Sequence, residues 1–143
     1  MRVFIDTNLW VYRLDQREPE KSRRISVWLR EIAGAHDIVL STQVLIELRA
    51  VLTRKLKPPI SAMDTRLALN ALAAFEVLST NSAVVLDAHE LATQEQLSWF
   101  DALIVEAAIR SRCDVLYSED LSHGRKFGGL TVCNPFLQAA STS

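Results

Sequence analysis

Four carboxylates stand out by their context in this 143-residue chain: Asp6, Glu47, Asp101 and Asp120. Asp6 ends the apolar run Val3-Phe4-Ile5, which reads as a strand buried on both faces, and Thr7 and Asn8 favour a helix start. A carboxylate at the carboxyl end of a buried strand lies where open α/β sheets bind ligands. Glu47 sits mid-helix among Val44, Leu45, Ile46, Leu48, Val51 and Leu52. Its neighbours three and four positions away, Gln43, Val44, Ala50 and Val51, include no cation. Glu106 differs: Arg110 lies four residues on, an ordinary surface pair. Asp101 follows Ser98 in capping-box spacing and heads a helix, Ala102 to Ile109, apolar enough to be buried. Asp120 follows a second buried strand, Val115-Leu116-Tyr117. Each acid alone has a structural explanation as a cap, a turn or a surface charge. Together they share acids at strand ends and on buried helices.

Electrostatics turns that pattern into chemistry. Two carboxylates about 5 Å apart repel by roughly 3 kcal/mol at an effective dielectric near 20. Four of them uncompensated would consume most of a domain's net stability. Such a group must share protons or hold a cation. His36, His89, His123, Cys113 and Cys133 do not fall at zinc-ligand spacing. An oxygen-only ligand set selects Mg²⁺ or Mn²⁺.

The elements that must position these acids follow from the apolar pattern. After the first strand, Leu9–Leu14 reads as a short helix, and Pro19 opens a longer one to Ala35, with Gly34 at its end. Ile38–Leu40 is a strand, Gln43–Lys55 a helix, and Pro58-Pro59 a break. Ser61 opens another helix, and Val77-Leu78 is a third strand. Asn81–Leu97 and Asp101–Arg112 read as helices. Ser122–Gly129 reads as a loop before a last strand, Leu130–Val132. Short apolar strands alternating with helices imply an α/β fold with a central, mainly parallel sheet covered on both faces. The chain has the length of one domain, spanning 1–137, with a polar tail over 138–143.

Net charge is −1, so no global basic field marks the chain as a nucleic-acid binder. The charge is uneven: residues 1–60 carry 11 Lys/Arg against 7 Asp/Glu, and the remainder 5 against 10. Two scattered cysteines suit packing in a reducing compartment. No signal-like segment or membrane span is read, so the expected location is cytoplasmic. Trp10, Trp28 and Trp99 sit in apolar contexts, and no base-stacking platform is expected from them.

The motifs resemble one family. Val3-Phe-Ile-Asp6-Thr-Asn8, Ser41-Thr-Gln-Val-Leu-Ile-Glu47, Trp99-Phe-Asp101-Ala-Leu-Ile, Leu116-Tyr-Ser-Glu-Asp120 and Asn134-Pro-Phe136 occur in the order of a PIN-domain ribonuclease. The chain is most similar to the VapC-type toxins of toxin–antitoxin pairs. The resemblance implies a three-layer α/β/α domain with an acidic pocket, in which Asp6, Glu47, Asp101 and Asp120 bind Mg²⁺ or Mn²⁺ and hydrolyse RNA. It gives Asn8 and Ser118 supporting roles and leaves open whether Glu119 or Asp120 is the fourth acid; Asp120 is preferred. It also implies a homodimer and an antitoxin partner.

An acidic pocket repels RNA, so cations elsewhere must hold the backbone. Candidates are Arg13, Arg17, Arg23 and Arg24, with Lys21, Arg49, Arg125 and Lys126 behind them. Rival readings are weaker on the residues. A phosphatase-type site wants an acid two residues after Asp6, where Asn8 stands. A receiver wants an Asp after a middle strand, where Ser41 stands. A non-cutting PIN-like scaffold would be expected to have lost acids that this chain retains. An RNA-processing nuclease outside any toxin–antitoxin pair uses the same residues.

Overall fold

The computed structural model describes residues 1–137; the polar tail expected over 138–143 lies outside the described residues. Six strands form one sheet: β1 (Arg2–Ile5), β2 (Asp37–Ser41), β3 (Glu76–Leu78), β4 (Val115–Tyr117), β5 (Lys126–Phe127) and β6 (Leu130–Cys133). Their order is β3-β2-β1-β4-β6-β5, parallel throughout except for β5 against β6. The helices are α1 (Thr7–Tyr12), α2 (Pro19–Ala35), α3 (Thr42–Ala50), α4 (Ala62–Ala73), α5 (Ser82–Glu95) and α6 (Trp99–Arg110).

The order of the strands decides the layers. The chain walks outward from β1 through β2 to β3, then returns past β1 to β4. Parallel crossovers are right-handed, so the outward walk places α1 to α4 on one face and the return places α5 and α6 on the other. The contacts agree: α1 packs with α2 and α3, α3 with α4, and α5 with α6. With both faces covered, the middle strands become wholly apolar. Val3, Phe4, Ile5, Val39, Leu40 and Leu116 are completely buried.

Three local expectations need correction. The helix expected over Gln43–Lys55 is α-helical only to Ala50 and continues as a π-helical turn, Val51–Lys55. Leu56 N–H bonds back to Val51 O at 3.1 Å, which frees Leu52 O to accept from Ile60 N–H at 2.9 Å. The widened turn keeps Leu52 and Leu56 buried as the chain bends into Lys57-Pro58. The loop expected over Ser122–Gly129 contains strand β5, because Gly128, with φ of 60°, turns Phe127 back against Leu130. The first helix begins at Thr7 rather than Leu9, because Asp6 itself is the N-cap.

The direction of the walk reverses between β1 and β4. In an open α/β sheet, that reversal opens a crevice at the carboxyl ends of the two strands. Asp6 stands at the end of β1, and Ser118 at the end of β4.

Candidate active site

Asp6 is 5% exposed, and both its oxygens are held. Thr7 N–H donates to Oδ1 at 2.7 Å, and the Ser118 hydroxyl donates to Oδ2 at 2.8 Å across the crevice. Ser118 Oγ also accepts from Asp120 N–H at 3.1 Å, so one buried hydroxyl ties the two strand ends together. Glu47 projects from α3 towards the same crevice. Its Oε1 accepts from Gln43 Nε2 at 2.9 Å and lies 3.5 Å from the Thr7 hydroxyl. Gln43 Nε2 also donates to Phe100 O at 3.2 Å, so α3 is pinned to the start of α6. There the Ser98 hydroxyl caps the helix by accepting from Asp101 N–H at 3.3 Å.

The charges show that the four acids act on one another. Burial pushes the Asp6 carboxyl up to about 7, with Asp120 and Glu47 adding to the rise and the bonds from Ser118 and Thr7 opposing it. Burial also raises Glu47, and Asp101 and Asp120 raise it further. No Lys or Arg pairs with any of the four among the described residues. The hydrogen-bond donors of Glu47, Gln43 and Thr7, are neutral. Glu106, the control, pairs with Arg110 at 3.0 Å as expected.

Among the described residues, no three His, Cys, Asp or Glu side chains are drawn in tightly enough to form a ready-made metal cage. The chemistry of the donors nonetheless fits a hard divalent cation. All are oxygens, buried Asp6 and half-buried Glu47 lack positive compensation, and both side-chain polar atoms of Asn8 are buried without a partner. An orphaned amide two residues from Asp6 calls for water or a ligand shell. Thus Asp6 and Glu47, with the more exposed Asp101 and Asp120, are the residues that would hold the ion.

Glu119 and Asp120 have different surroundings. Glu119 accepts from the Tyr12 hydroxyl at 2.6 Å and pairs with Lys21 at 3.6 Å, whereas the charge of Asp120 is felt at Asp6 and Glu47. The cations expected to hold RNA also separate. Arg17 is paired with Asp15, Arg23 with Glu20 and Arg125 with Glu95. Arg24 instead lies over the Phe136 ring and donates to Phe136 O, and Arg13 is exposed. Trp99 and Phe100 are 40% and 60% exposed, contrary to the apolar setting read for Trp99. Thr7 and Gln43 were missed. Gln43 was legible in principle, since it lies four residues before Glu47 on the same helical face, where a neutral amide can donate as a cation would.

A separate groove of about 690 Å³ opens between α1, the start of α2 and α4. Trp10, Leu14, Leu48, Leu67 and Leu72 line it, and none of the four acids does.

The strand-order reversal thus places a crevice in an α/β domain, with acids at the ends of β1 and β4 and on α3 and α6. The chain belongs to the PIN-domain family, whose profile matches residues 3–126. Among solved structures, it is similar to VapBC2 from Rickettsia felis bound to a DNA fragment from their promoter, with TM-score 0.65, 21% identity and coverage of 92% of this chain and 97% of that one. A toxin–antitoxin complex from Klebsiella pneumoniae gives TM-score 0.67 at 16% identity, covering 90% and 95%. VapC20 of Mycobacterium tuberculosis, described as a sarcin–ricin loop cleaving toxin, gives 0.58 at 17%, covering 80% and 86%. These likenesses establish the shared fold. The comparison with curated proteins finds no match.

Proposed function

We propose that the chain is a Mg²⁺- or Mn²⁺-dependent endoribonuclease and the toxin of a toxin–antitoxin pair. The observation that carries this reading is the uncompensated acid group at the crevice, with Asp6 raised to about 7 by burial and by neighbouring acids. A buried structural carboxylate would normally have a cationic partner. This one has neutral donors and further acids.

The chain's own residues divide the work. Ser118 and Thr7 hold Asp6 in one orientation, and Gln43 holds Glu47. Asn8 stands beside them with an amide still able to donate and accept. Asp101 and Asp120, less buried, are placed to take the proton of an attacking water. A divalent ion, when bound, would lower the pKa of that water and offset charge on the phosphate.

The toxin assignment draws on neighbours described as toxin–antitoxin complexes. An antitoxin segment with an apolar helical face suits the groove lined by Trp10, Leu14 and Leu67, and homodimerisation is expected by analogy. Among the described residues, no helix is long and apolar enough to cross a membrane.

The test is a Mn²⁺ titration of the wild type and of Asp6→Asn, Glu47→Gln, Asp101→Asn and Asp120→Asn, by binding heat and by cleavage of a structured RNA. Each substitution should weaken metal binding and abolish cleavage while the fold survives. The alternative is a scaffold that binds without cutting. A wild type that neither binds the ion nor cuts RNA would establish that alternative.

A further inference from the structure

The cations of the amino-terminal half are not equivalent. Arg2 is neutralised by Glu76, Arg17 by Asp15 and Arg23 by Glu20. Lys21 pairs with Glu119 at 3.6 Å and donates to the Tyr12 hydroxyl at 3.3 Å, but it and Arg24 share an aromatic seat that Arg2, Arg17 and Arg23 lack. Lys21 and Arg24 lie three residues apart on one face of α2, and both reach the ring of Phe136. Lys21 Nζ is 5.3 Å from its centroid and 4.8 Å from that of Tyr12, and the Arg24 guanidinium is 5.3 Å from Phe136. The two rings meet edge to face at 5.5 Å. Arg24 is anchored by a bond to Phe136 O at 3.3 Å, and Asn134 Oδ1 accepts from Phe136 N–H at 3.0 Å, which fixes the ring's own segment.

Three consequences follow. Both cations are preorganised on aromatic faces, so binding an anion costs them less rotamer freedom than a free surface lysine would lose. The pair faces one ion-paired carboxylate, Glu119, and Glu18 acts on Lys21 only at longer range, so the cluster keeps an excess of positive charge. Its position is also set. Glu119 is bonded in the chain to Asp120, so the positive cluster begins one residue from the acid crevice. A strand entering that crevice meets repulsion from the acids and attraction from this cluster.

We infer that Lys21 and Arg24, seated on Tyr12 and Phe136, form a backbone-binding subsite that takes the phosphates of a single RNA strand beside the Asp120 end of the crevice. This assignment rests on the nuclease reading and deepens it by naming where the strand is held. Arg17 and Arg23, spent on acids with no ring beneath them, contribute little to it.

The test measures binding of a fluorescein-labelled single-stranded RNA to the full chain across a salt series, with Ca²⁺ replacing Mn²⁺ to suppress turnover. Each lost phosphate contact should lower the slope of log K against log salt by about 0.7. Lys21→Met retains the aliphatic stem on the rings, and Arg24→Gln retains a polar head. Each should weaken binding several-fold at low salt and reduce the slope, and the double variant should do both roughly additively. Lys21→Arg should restore the wild-type slope, which a purely structural role for Lys21 would not require. Arg2→Gln, a control at the opposite end of the strands, should leave affinity and slope unchanged. Variants that melt lower but bind RNA with the wild-type slope would overturn the subsite and reduce the cluster to an anchor for residues 134–136. A wild type that binds no RNA would overturn the nuclease reading itself, a separate outcome.

Discussion

Replacing Asp6 by Asn should stabilise the metal-free protein at alkaline pH, although it removes a residue at the centre of the proposed site. The folded chain holds a proton on Asp6 up to about pH 7, whereas the unfolded chain releases it near 3.8. Between those values unfolding releases a proton, so stability falls as pH rises. The shift of about three units corresponds to a loss on the order of 4 kcal/mol by pH 8. Asn carries no charge and escapes that loss. It keeps the bond from Thr7 N–H to Oδ1 and can donate to Ser118 Oγ in place of accepting, at a cost of about 1 kcal/mol for the weaker pairing. The net gain at pH 8 is therefore about 3 kcal/mol, or roughly 10 °C in melting temperature for a domain of this size.

Urea melts in EDTA from pH 4 to pH 9 measure the effect. Everything except Asp6 is common to the two proteins, so the difference between wild type and variant isolates Asp6. That difference should be near zero or slightly unfavourable to the variant at pH 4, and should grow in the variant's favour up to pH 8. Added Mn²⁺ should then raise the wild type and leave the variant almost unchanged. A difference that stays constant with pH would refute the reasoning, for it would mean that Asp6 is ionised and comfortably solvated in the fold.

Ser118→Ala should cost about 1 to 3 kcal/mol, because it strips a donor from buried Asp6 and an acceptor from Asp120 N–H; urea melts at pH 7 give the figure. Gln43→Met, which keeps the volume of the side chain, should weaken Mn²⁺ binding about 10-fold or more by calorimetry, because Glu47 loses its shortest donor and α3 its tie to Phe100. Arg2→Gln breaks the exposed pair with Glu76 at the opposite end of the strands. It should change stability by less than about 1 kcal/mol and leave RNA cleavage untouched in a parallel assay. Leu48→Ala, in the core under α3, should cost about 2 to 5 kcal/mol by thermal melt.

What the sequence revealed depended on the range of the interaction involved. The buried strands were legible because apolar runs such as Val3-Phe4-Ile5 have one economical use, and the sheet class followed from their alternation with helices. The capping residue Ser98 was legible because it acts three residues away. Strand β5 was not, since Lys126-Phe127 is too short to carry a period and exists through its pairing with β6. The π-helical turn was equally silent, because it answers to the burial of Leu56 and to Ile60, both beyond any local pattern. At the site, the four acids could be picked out by context, but their supports could not. The Ser118–Asp6 bond spans 112 positions and the Gln43–Phe100 bond spans 57. Lys21 and Arg24 looked like their neighbour Arg23 until Phe136 folded against them.

The same contrast explains why the fold tolerates an acid crevice. Asp6 lies where strand order requires the sheet to open, so its carboxylate cannot be moved to solvent without abandoning the β1–β4 junction that Ser118 bridges. Nor does any cation pair with Asp6 among the described residues: Lys21 is held on Tyr12 and Phe136 and paired with Glu119, and Arg24 is held on Phe136. A proton on Asp6 is then the metal-free state's own compensation, and at neutral pH it is loosely held. A divalent ion or a cationic residue of a partner protein would displace that proton and stabilise the fold. Proton release during calorimetric Mn²⁺ titration should therefore approach one per chain at pH 6 and vanish by pH 9. Equal release at both values would show that the ion binds away from Asp6.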